Sequence, residues 1–456
     1  MKQYFFCGVG GSGMSSLALA LKSEGNDVRG SDRSLDQGKT PEKFDLLRQQ
    51  GISLFPQDGS GLDASADVLV VSSAVEETIP DVVRARALDI PVRRRAEILA
   101  DYLHRHNGIA VGGTSGKTTT TGMIGHILKQ NGLDPSVING GVMLNYPASL
   151  GLGNVIAGQG SFCVIEADES DGSIELYHPA VAVVNNISLD HKPVEELRPL
   201  FADFISRASV GAVLNADCAE TAALKDRNPN VLTYSVAGAD ADLKAEKITA
   251  SGTGVRFILD GDEVTLQVPG RHNVSNALAA LATAEMIGIP RSDALKAMES
   301  FKGIHRRLET VGTTAKGITV IDDFGHNPEK IAASLNALKE HEGRLIIIYQ
   351  PHGFGPTRML RAGIVQAFDR GLSLDDILIM PEIYYAGGTA AKDISAADLV
   401  RDLERTGKRV HFIPDRAKIL RLVKSLAAKG DRIVVMGARD DTLSDFAAEL
   451  LKAVKG

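Results

Sequence analysis

Lys117 closes a glycine-rich run, Gly113-Thr114-Ser115-Gly116-Lys117, and is followed by two hydroxyls, Thr118 and Thr119. Such a run suits phosphate chemistry. Backbone N–H groups cradle the phosphates, the lysine neutralises the terminal ones, and the first hydroxyl ligates Mg²⁺. The usual spacing puts a glycine where Val111 stands, so the match to that pattern is incomplete. A metal at this loop needs a carboxylate, and Glu166 ends the apolar run FCVIEAD. Asp168, Glu169 and Asp171 follow it and read as a solvated acidic loop. A further run, AVAVVNNISLD, delivers Asp190 and His191 to a similar place, where a histidine beside an acid fits a metal or phosphate contact.

A second phosphate motif stands at the start of the chain. Gly8-x-Gly10-x-x-Gly13, with Gly11 and Ser12 inside it, follows YFFC and opens a helix whose Met14, Leu17, Ala18 and Leu21 share a face. Asp32 ends the next strand, near the distance at which a dinucleotide-binding fold places its ribose acid. Taken alone this is the signature of a nicotinamide dehydrogenase. The loop at Lys117 has no use in such an enzyme, so the first motif establishes a diphosphate ligand more firmly than its identity.

Both loops need a strand in front and a helix behind. The strand GIAV precedes Gly113, and Met123, Ile124, Ile127 and Leu128 lie on one helical face behind it. Wider patterning divides the chain into three blocks, at 1–107, 108–303 and 304–456. The first alternates the strands YFFCGV, NDVRGSD and ADVLVVSSA with helical stretches, which predicts a Rossmann-like parallel sheet. The second adds a hairpin, GVRFILDGDEVTLQV, turning at Asp260-Gly261, and closes on a helix through NVSNALAALATAEMIGI. It reads as an α/β domain of phosphate-loop ATPase type with added strands. The third alternates ITVIDD, RLIIIYQ, DILIMPE, RVHFIP and DRIVVMGA with helices, a further Rossmann-like α/β unit.

Composition narrows the function classes. At 456 residues the chain has room for about three domains. A net charge of −7 disfavours nucleic acid, and the densest basic cluster is only Arg93, Arg94 and Arg95, a solvated strand end or an anion contact. Cys7, Cys163 and Cys218 lie far apart and have neither metal-ligand nor disulfide spacing, which predicts a reducing cytoplasm. No apolar stretch approaches the roughly 18 residues of a membrane span, so no membrane partner is expected.

GVGGSGMSSLA, GSD, VVSSA, GTSGKTTTT, IEADESD, NISLDH, GRHNVSNALAA, HRRLE, DDFGHNP and QPH run in one order across all three blocks. In this the chain resembles the Mur ligases of bacterial cell-wall synthesis, and most of all the members that act on UDP-N-acetylmuramate with L-alanine or with a recycled tripeptide. The resemblance implies an ATP- and Mg²⁺-dependent carboxylate–amine ligase. ATP phosphorylates the muramoyl carboxylate, and the amine of an amino acid or short peptide displaces phosphate from the acyl phosphate. Carried over by position, Lys117 contacts the transferred phosphoryl group, and Thr118, Glu166 and His191 lie around Mg²⁺. His272, Asn273 and Asn276 approach the adenosine, while Arg307 and Asp323 bring the last domain onto the nucleotide. Gly8, Gly10, Gly11, Ser12, Gly13, Asp32 and Ser72 line the uridine-diphosphate site, and His326, His352 and Arg358 lie on the substrate side of the last domain. Domain closure and a monomer or weak homodimer are expected.

The resemblance also marks four departures. Ser115 stands where these members carry histidine. LFADFIS lacks the carbon-dioxide-modified lysine of other members. Gly353 replaces an arginine after QPH, and GARDDT replaces a GAG form.

Overall fold

The computed structural model describes residues 1–73, 75–146, 152–188, 193–251, 254–385, 387 and 391–455. The chain forms two compact units. One comprises Met1–Lys247, Phe257–Leu266 and Asn273–Ile304, the other Ile248–Arg256, Gln267–His272 and His305–Gly456. Among the described residues, no helix is long and apolar enough to cross a membrane.

The first sheet is parallel throughout, in the order Ser53–Phe55, Asp27–Ser31, Gln3–Cys7, Val68–Val71, Val92–Arg94. Strand order therefore reverses at Gln3–Cys7, and a crevice opens beyond the carboxyl ends of Gln3–Cys7 and Val68–Val71. Gly8–Gly13 follows the first of these strands and Ser72 the second.

The ten-stranded sheet has Asn107–Gly112 between Val181–Val184 and Phe162–Glu166, all parallel. Gly211–Asn215 and Val231–Ser235 extend it on one side, Ser136–Ile138 and the antiparallel Val155–Ala157 on the other. Its far edge holds the expected hairpin, Gly254–Leu259 and Asp262–Leu266, joined by Asp260 (φ +51°) and Gly261 (φ +95°). Positive φ at both turn residues is the reason Asp-Gly marks such a turn.

Helix Ser12–Ser23 departs from its expected one-sided pattern. Every residue from Met14 to Leu21 is buried, because the helix packs against Ser136–Ile138 and Val155–Ala157 as well as its own sheet. Small residues make this possible: Ser15, Ser16, Ala18 and Ala20 lie among the larger ones, and Asn154 donates to the Ser16 hydroxyl at 3.0 Å. Leu19, Leu99 and Tyr102 thus share one core with Ile138, Val155 and Cys163. The first and second sheets are consequently held within one unit.

In the other unit a six-stranded sheet runs Glu309–Thr313, Thr319–Asp323, Arg432–Gly437, Leu345–Gln350, Ile377–Met380, Arg409–Phe412. Only Glu309–Thr313 is antiparallel. Apolar clusters cover both faces, with Ile347, Leu378 and Val434 in one and Ile346, Ile379 and Val435 in the other. Alternation along each strand supplies both clusters from neighbouring residues of the same strands.

Candidate active site

Asn107–Gly112 ends at the loop Gly113–Gly116, and helix Lys117–Gln130 begins at once. Val111 is a fully buried strand residue. The turn therefore starts later than the common pattern assumes, at Gly113 with φ +123°. Gly116 is the N-cap in the left-handed region, with φ +83°. A β-carbon there would lie 2.5 Å from Asn276 Oδ1, so glycine is required on both counts.

The helix has no side-chain cap and no acidic residue in its first turn. Its leading N–H groups and the positive end of its dipole are thus left for an anion. Helix Ser12–Ser23 starts in the same way, on Gly11 with no side-chain cap and no first-turn acid.

Two asparagines hold the loop from beneath. The strand Val181–Val184 stops earlier than AVAVVNNISLD suggests, and Asn185 and Asn186 leave the sheet. Asn186 Oδ1 accepts from the Ser115 amide at 2.8 Å and the Thr114 hydroxyl at 2.7 Å, while its Nδ2 donates to the Ser115 carbonyl at 3.2 Å. Asn185 Nδ2 donates to the Thr120 hydroxyl at 3.0 Å. Thr114, expected at the nucleotide, turns inward and is buried, its hydroxyl between Asn186 and Ser188. Thr119 is half-buried in the first turn. Asp190 and His191 lie outside the described residues.

Lys117 reaches back over its own loop. Its Nζ donates to the Gly113 carbonyl at 2.7 Å and to Glu169 Oε2 at 2.8 Å. The Glu169 side chain is only 4% exposed. This corrects the reading of Glu169 as part of a solvated acidic loop: the chain returns after Glu166 and folds the carboxylate under the loop, where the lysine compensates it. Thr118 Oγ1 donates to Glu166 Oε2 at 3.1 Å, and Glu166 Oε1 accepts from the Gly140 amide. Hydroxyl and carboxylate oxygen side by side at a strand end form a donor set suited to a hard cation such as Mg²⁺. Asn276, buried on helix Arg271–Met286, accepts from the Thr120 hydroxyl at 3.3 Å and donates to Asn273 at 3.2 Å. His272 is exposed at the start of that helix.

At the first loop, Asp32 Oδ2 accepts from the Gly10 amide at 2.8 Å and Oδ1 from the Ser34 amide at 2.7 Å. A β-carbon on Gly10 would lie 2.7 Å from that carboxylate. Asp32 therefore ties the glycine loop to the neighbouring strand. Arg95 closes the other side, its Cδ and Nε 3.4 Å from where a β-carbon of Gly13 would sit. Within the arginine cluster, Arg93 pairs with Asp101, whereas Arg95 is the member placed at the loop. Ser72 is half-buried beside the crevice.

The second unit gathers its own residues at strand ends. Asp323 accepts from the Leu308 amide at 3.1 Å, the Gly325 amide at 3.0 Å and the Ser334 hydroxyl at 2.7 Å. Arg307 lies over the Phe324 ring at 5.0 Å. The neighbouring Arg306 is the buried member of the pair, fixed to Asp322 and to the Gly437 carbonyl. His326 and His352 meet edge to face, with ring centres 5.4 Å apart. Burial, then the nearby Lys330 charge, hold His326 down at about 4; burial and the Arg439 charge lower His352. Both imidazoles are neutral near pH 7. Arg358 is exposed and pairs with Asp393.

The geometry defines an α/β enzyme with a phosphate loop, a paired metal-type donor set, and a second dinucleotide-style loop. Comparison with known proteins makes this specific. The Mur ligase family catalytic domain matches residues 3–107, the Mur ligase middle domain 111–284, and the Mur ligase glutamate ligase domain 306–439. A UDP-N-acetylmuramate–L-alanine ligase of Geobacter sp. (strain M21) is 39% identical over 452 residues, covering 96% of this chain and 95% of the relative. One of Acidithiobacillus ferrooxidans (strain ATCC 53993 / BNL-5-31) is 38% identical over 458 residues, covering 96% and 95%. Among solved structures, the UDP-N-acetylmuramate–alanine ligase of Thermotoga maritima superposes with a TM-score of 0.78 at 27% identity over 99% of both chains. A murein peptide ligase of Psychrobacter arcticus 273-4, with a TM-score of 0.65 at 24% identity over 100% of this chain and 99% of the other, shares the fold. The chain belongs to the Mur ligase family. It is an ATP-dependent ligase of three-domain α/β architecture.

Proposed function

We propose that this chain joins the carboxylate of UDP-N-acetylmuramate to the amine of L-alanine, or of a similar amino acid, in peptidoglycan precursor synthesis. The observation that carries this reading is the pair of glycine-led helix N-termini in one unit, each without a side-chain cap, the second bearing Lys117 and Thr118 against Glu169 and Glu166. One terminus suits the diphosphate of a nucleotide sugar and the other the phosphates of ATP. The names of the relatives at 38–39% identity support the same substrate pair.

A carboxylate oxygen accepts the terminal phosphoryl group and ADP departs. The amine nitrogen then bonds to the carbonyl carbon, gives up a proton, and phosphate leaves. Lys117 exchanges Glu169 for phosphoryl oxygens and stabilises charge there. Thr118 and Glu166, with His191, would hold Mg²⁺, which supplies charge neutralisation at the phosphates. The loop amides of Gly113–Gly116, with Thr119, His272, Asn273, Asn276, Arg307 and Asp323, are assigned to the nucleotide. Gly8–Gly13, Asp32 and Ser72 are assigned to the uridine diphosphate, and His326, His352 and Arg358 to the substrate side of the last domain. We assign functional domains at 1–107, 108–303 and 304–456, a division supported by three successive family matches at 3–107, 111–284 and 306–439. Three free cysteines support a cytoplasmic setting, and we assign a monomer or weak homodimer.

The test is phosphate release from ATP with Mg²⁺ and UDP-N-acetylmuramate, against single amino acids and the L-Ala-γ-D-Glu-diaminopimelate tripeptide. Release dependent on L-alanine is expected. Dependence on the tripeptide alone would make this a recycling enzyme, and silence with every amine would refute the substrate assignment.

A further inference from the structure

The middle of the six-stranded sheet ends in a backbone that few side chains adopt. Arg439, just past strand Arg432–Gly437, has φ +67°. A non-glycine residue in the left-handed region is uncommon, and this one places a long cationic side chain at the strand's carboxyl end. The Arg439 side chain is exposed, and the acid beside it is already engaged: Asp440 accepts from Arg416 and from the Thr442 hydroxyl and amide. Among the described residues, no ion pair or hydrogen bond engages Arg439.

Its position is that of a ligand-binding residue. Arg432–Gly437 lies between Thr319–Asp323 and Leu345–Gln350, where the strand order of the parallel sheet switches and the carboxyl ends leave a crevice. Gln350 pairs with Gly437, so His352 comes off the adjacent strand end, close enough for the Arg439 charge to act on it. His326 meets His352 ring to ring, and the charges of Lys330 and Arg307 reach His326. The acid of this rim, Asp323, is consumed by backbone amides and Ser334. Arg439, Lys330 and Arg307 thus place positive charge around two neutral imidazoles, with Asp441 the exposed acid on the same loop, and the cations favour an anion between them.

We propose that Arg439 fixes the carboxylate of the incoming amine, making it a specificity-determining residue carried on the loop after the central strand. The inference rests on the ligase reading above and names the group by which the second substrate is recognised.

Arg439→Gly removes the cation and suits a φ of +67°, so the variant unfolds within a few degrees of wild type. In the phosphate-release assay its KM for the amine that supports turnover, L-alanine on our reading, rises about ten- to hundredfold, the scale of one charge-assisted hydrogen bond. Its kcat at saturating L-alanine and its KM for ATP hold. Arg439→Lys recovers part of the loss, and L-alaninamide, which lacks the carboxylate, is used equally by all three proteins. An unchanged KM for L-alanine, or an equal loss with the amide, overturns the proposal. A second readout is independent of turnover. In wild type, saturating L-alanine raises the NMR titration midpoint of His352, because a carboxylate offsets the Arg439 charge; in Arg439→Gly it does not. That shift in an enzyme silent with every amine would sink the ligase reading and keep this site. No shift in wild type would sink this site.

Discussion

Lys117→Ala has two separable consequences, because the lysine faces both the nucleotide and a buried acid. At 2.8 Å and an effective dielectric near 20, the Lys117–Glu169 pair attracts by about 6 kcal/mol before desolvation is counted. Little of that is net stability, since burying the Glu169 carboxylate costs a comparable amount. Removing one partner is different: it strands a carboxylate whose side chain is 4% exposed, at about 3–5 kcal/mol. The unfolding midpoint of the N-terminal unit then drops by roughly 5–10 °C. Alanine is a good helix former, so propensity does not explain the loss. Turnover falls by at least the roughly 3–4 kcal/mol of a lost charge-stabilising donor. Lys117→Ala/Glu169→Gln removes the stranded charge, so it recovers the midpoint and leaves turnover abolished. Calorimetric unfolding and the phosphate-release assay on the four proteins of this cycle decide the matter. A single variant that melts like wild type would show that Glu169 does not depend on Lys117, and a double variant that regains turnover would reduce Lys117 to neutralising Glu169.

Gly116→Ala forces a β-carbon to 2.5 Å from Asn276 Oδ1 at φ +83°, so ATP affinity measured by calorimetry drops at least tenfold while the unit loses about 1–3 kcal/mol. Glu166→Gln removes charge from the Thr118–Glu166 donor set, and the Mg²⁺ concentration for half-maximal turnover rises at least tenfold; a metal titration checks it, with no change counting against the site. His126 is fully buried, and burial lowers it to about 4, below the unfolded value near 6.5. The unfolded chain therefore binds the extra proton between these values, so His126 contributes its full stability above about pH 6.5 and loses up to roughly 3 kcal/mol as pH falls to about 4. Urea unfolding at pH 7 and pH 4.5 should show that slope in wild type and a flatter one in His126→Asn.

Local patterning made much of this molecule legible. The strand, glycine loop and helix around Lys117 are contiguous, and so are the Asp260-Gly261 turn and the first glycine loop with its helix. Asp32 read from its spacing as a ribose acid, and its carboxylate accepts from the Gly10 and Ser34 amides, a tie to the loop that the spacing did not show. What stayed hidden depends on groups brought together from afar. Asn185 and Asn186 read as the continuation of an apolar strand, and only the parallel pairing of Val181–Val184 with Asn107–Gly112 sets them under the phosphate loop. Glu169 looked like a surface acid because its partner lies 52 residues away. Helix Ser12–Ser23 read as one-sided because a second sheet packing on it leaves no local trace beyond its small residues.

The Asn186 amide grips the phosphate loop by three hydrogen bonds, to the Ser115 amide and carbonyl and to the Thr114 hydroxyl. The loop backbone is thus held in shape before any ligand arrives, which lowers the penalty that a scarce binding conformer would impose on affinity. Part of the ordering entropy of the loop is therefore spent when the chain folds and is not repeated in each catalytic cycle. Nucleotide exchange should then be governed by how long ATP or ADP stays, with arrival limited by diffusion and by the release of one lysine side chain.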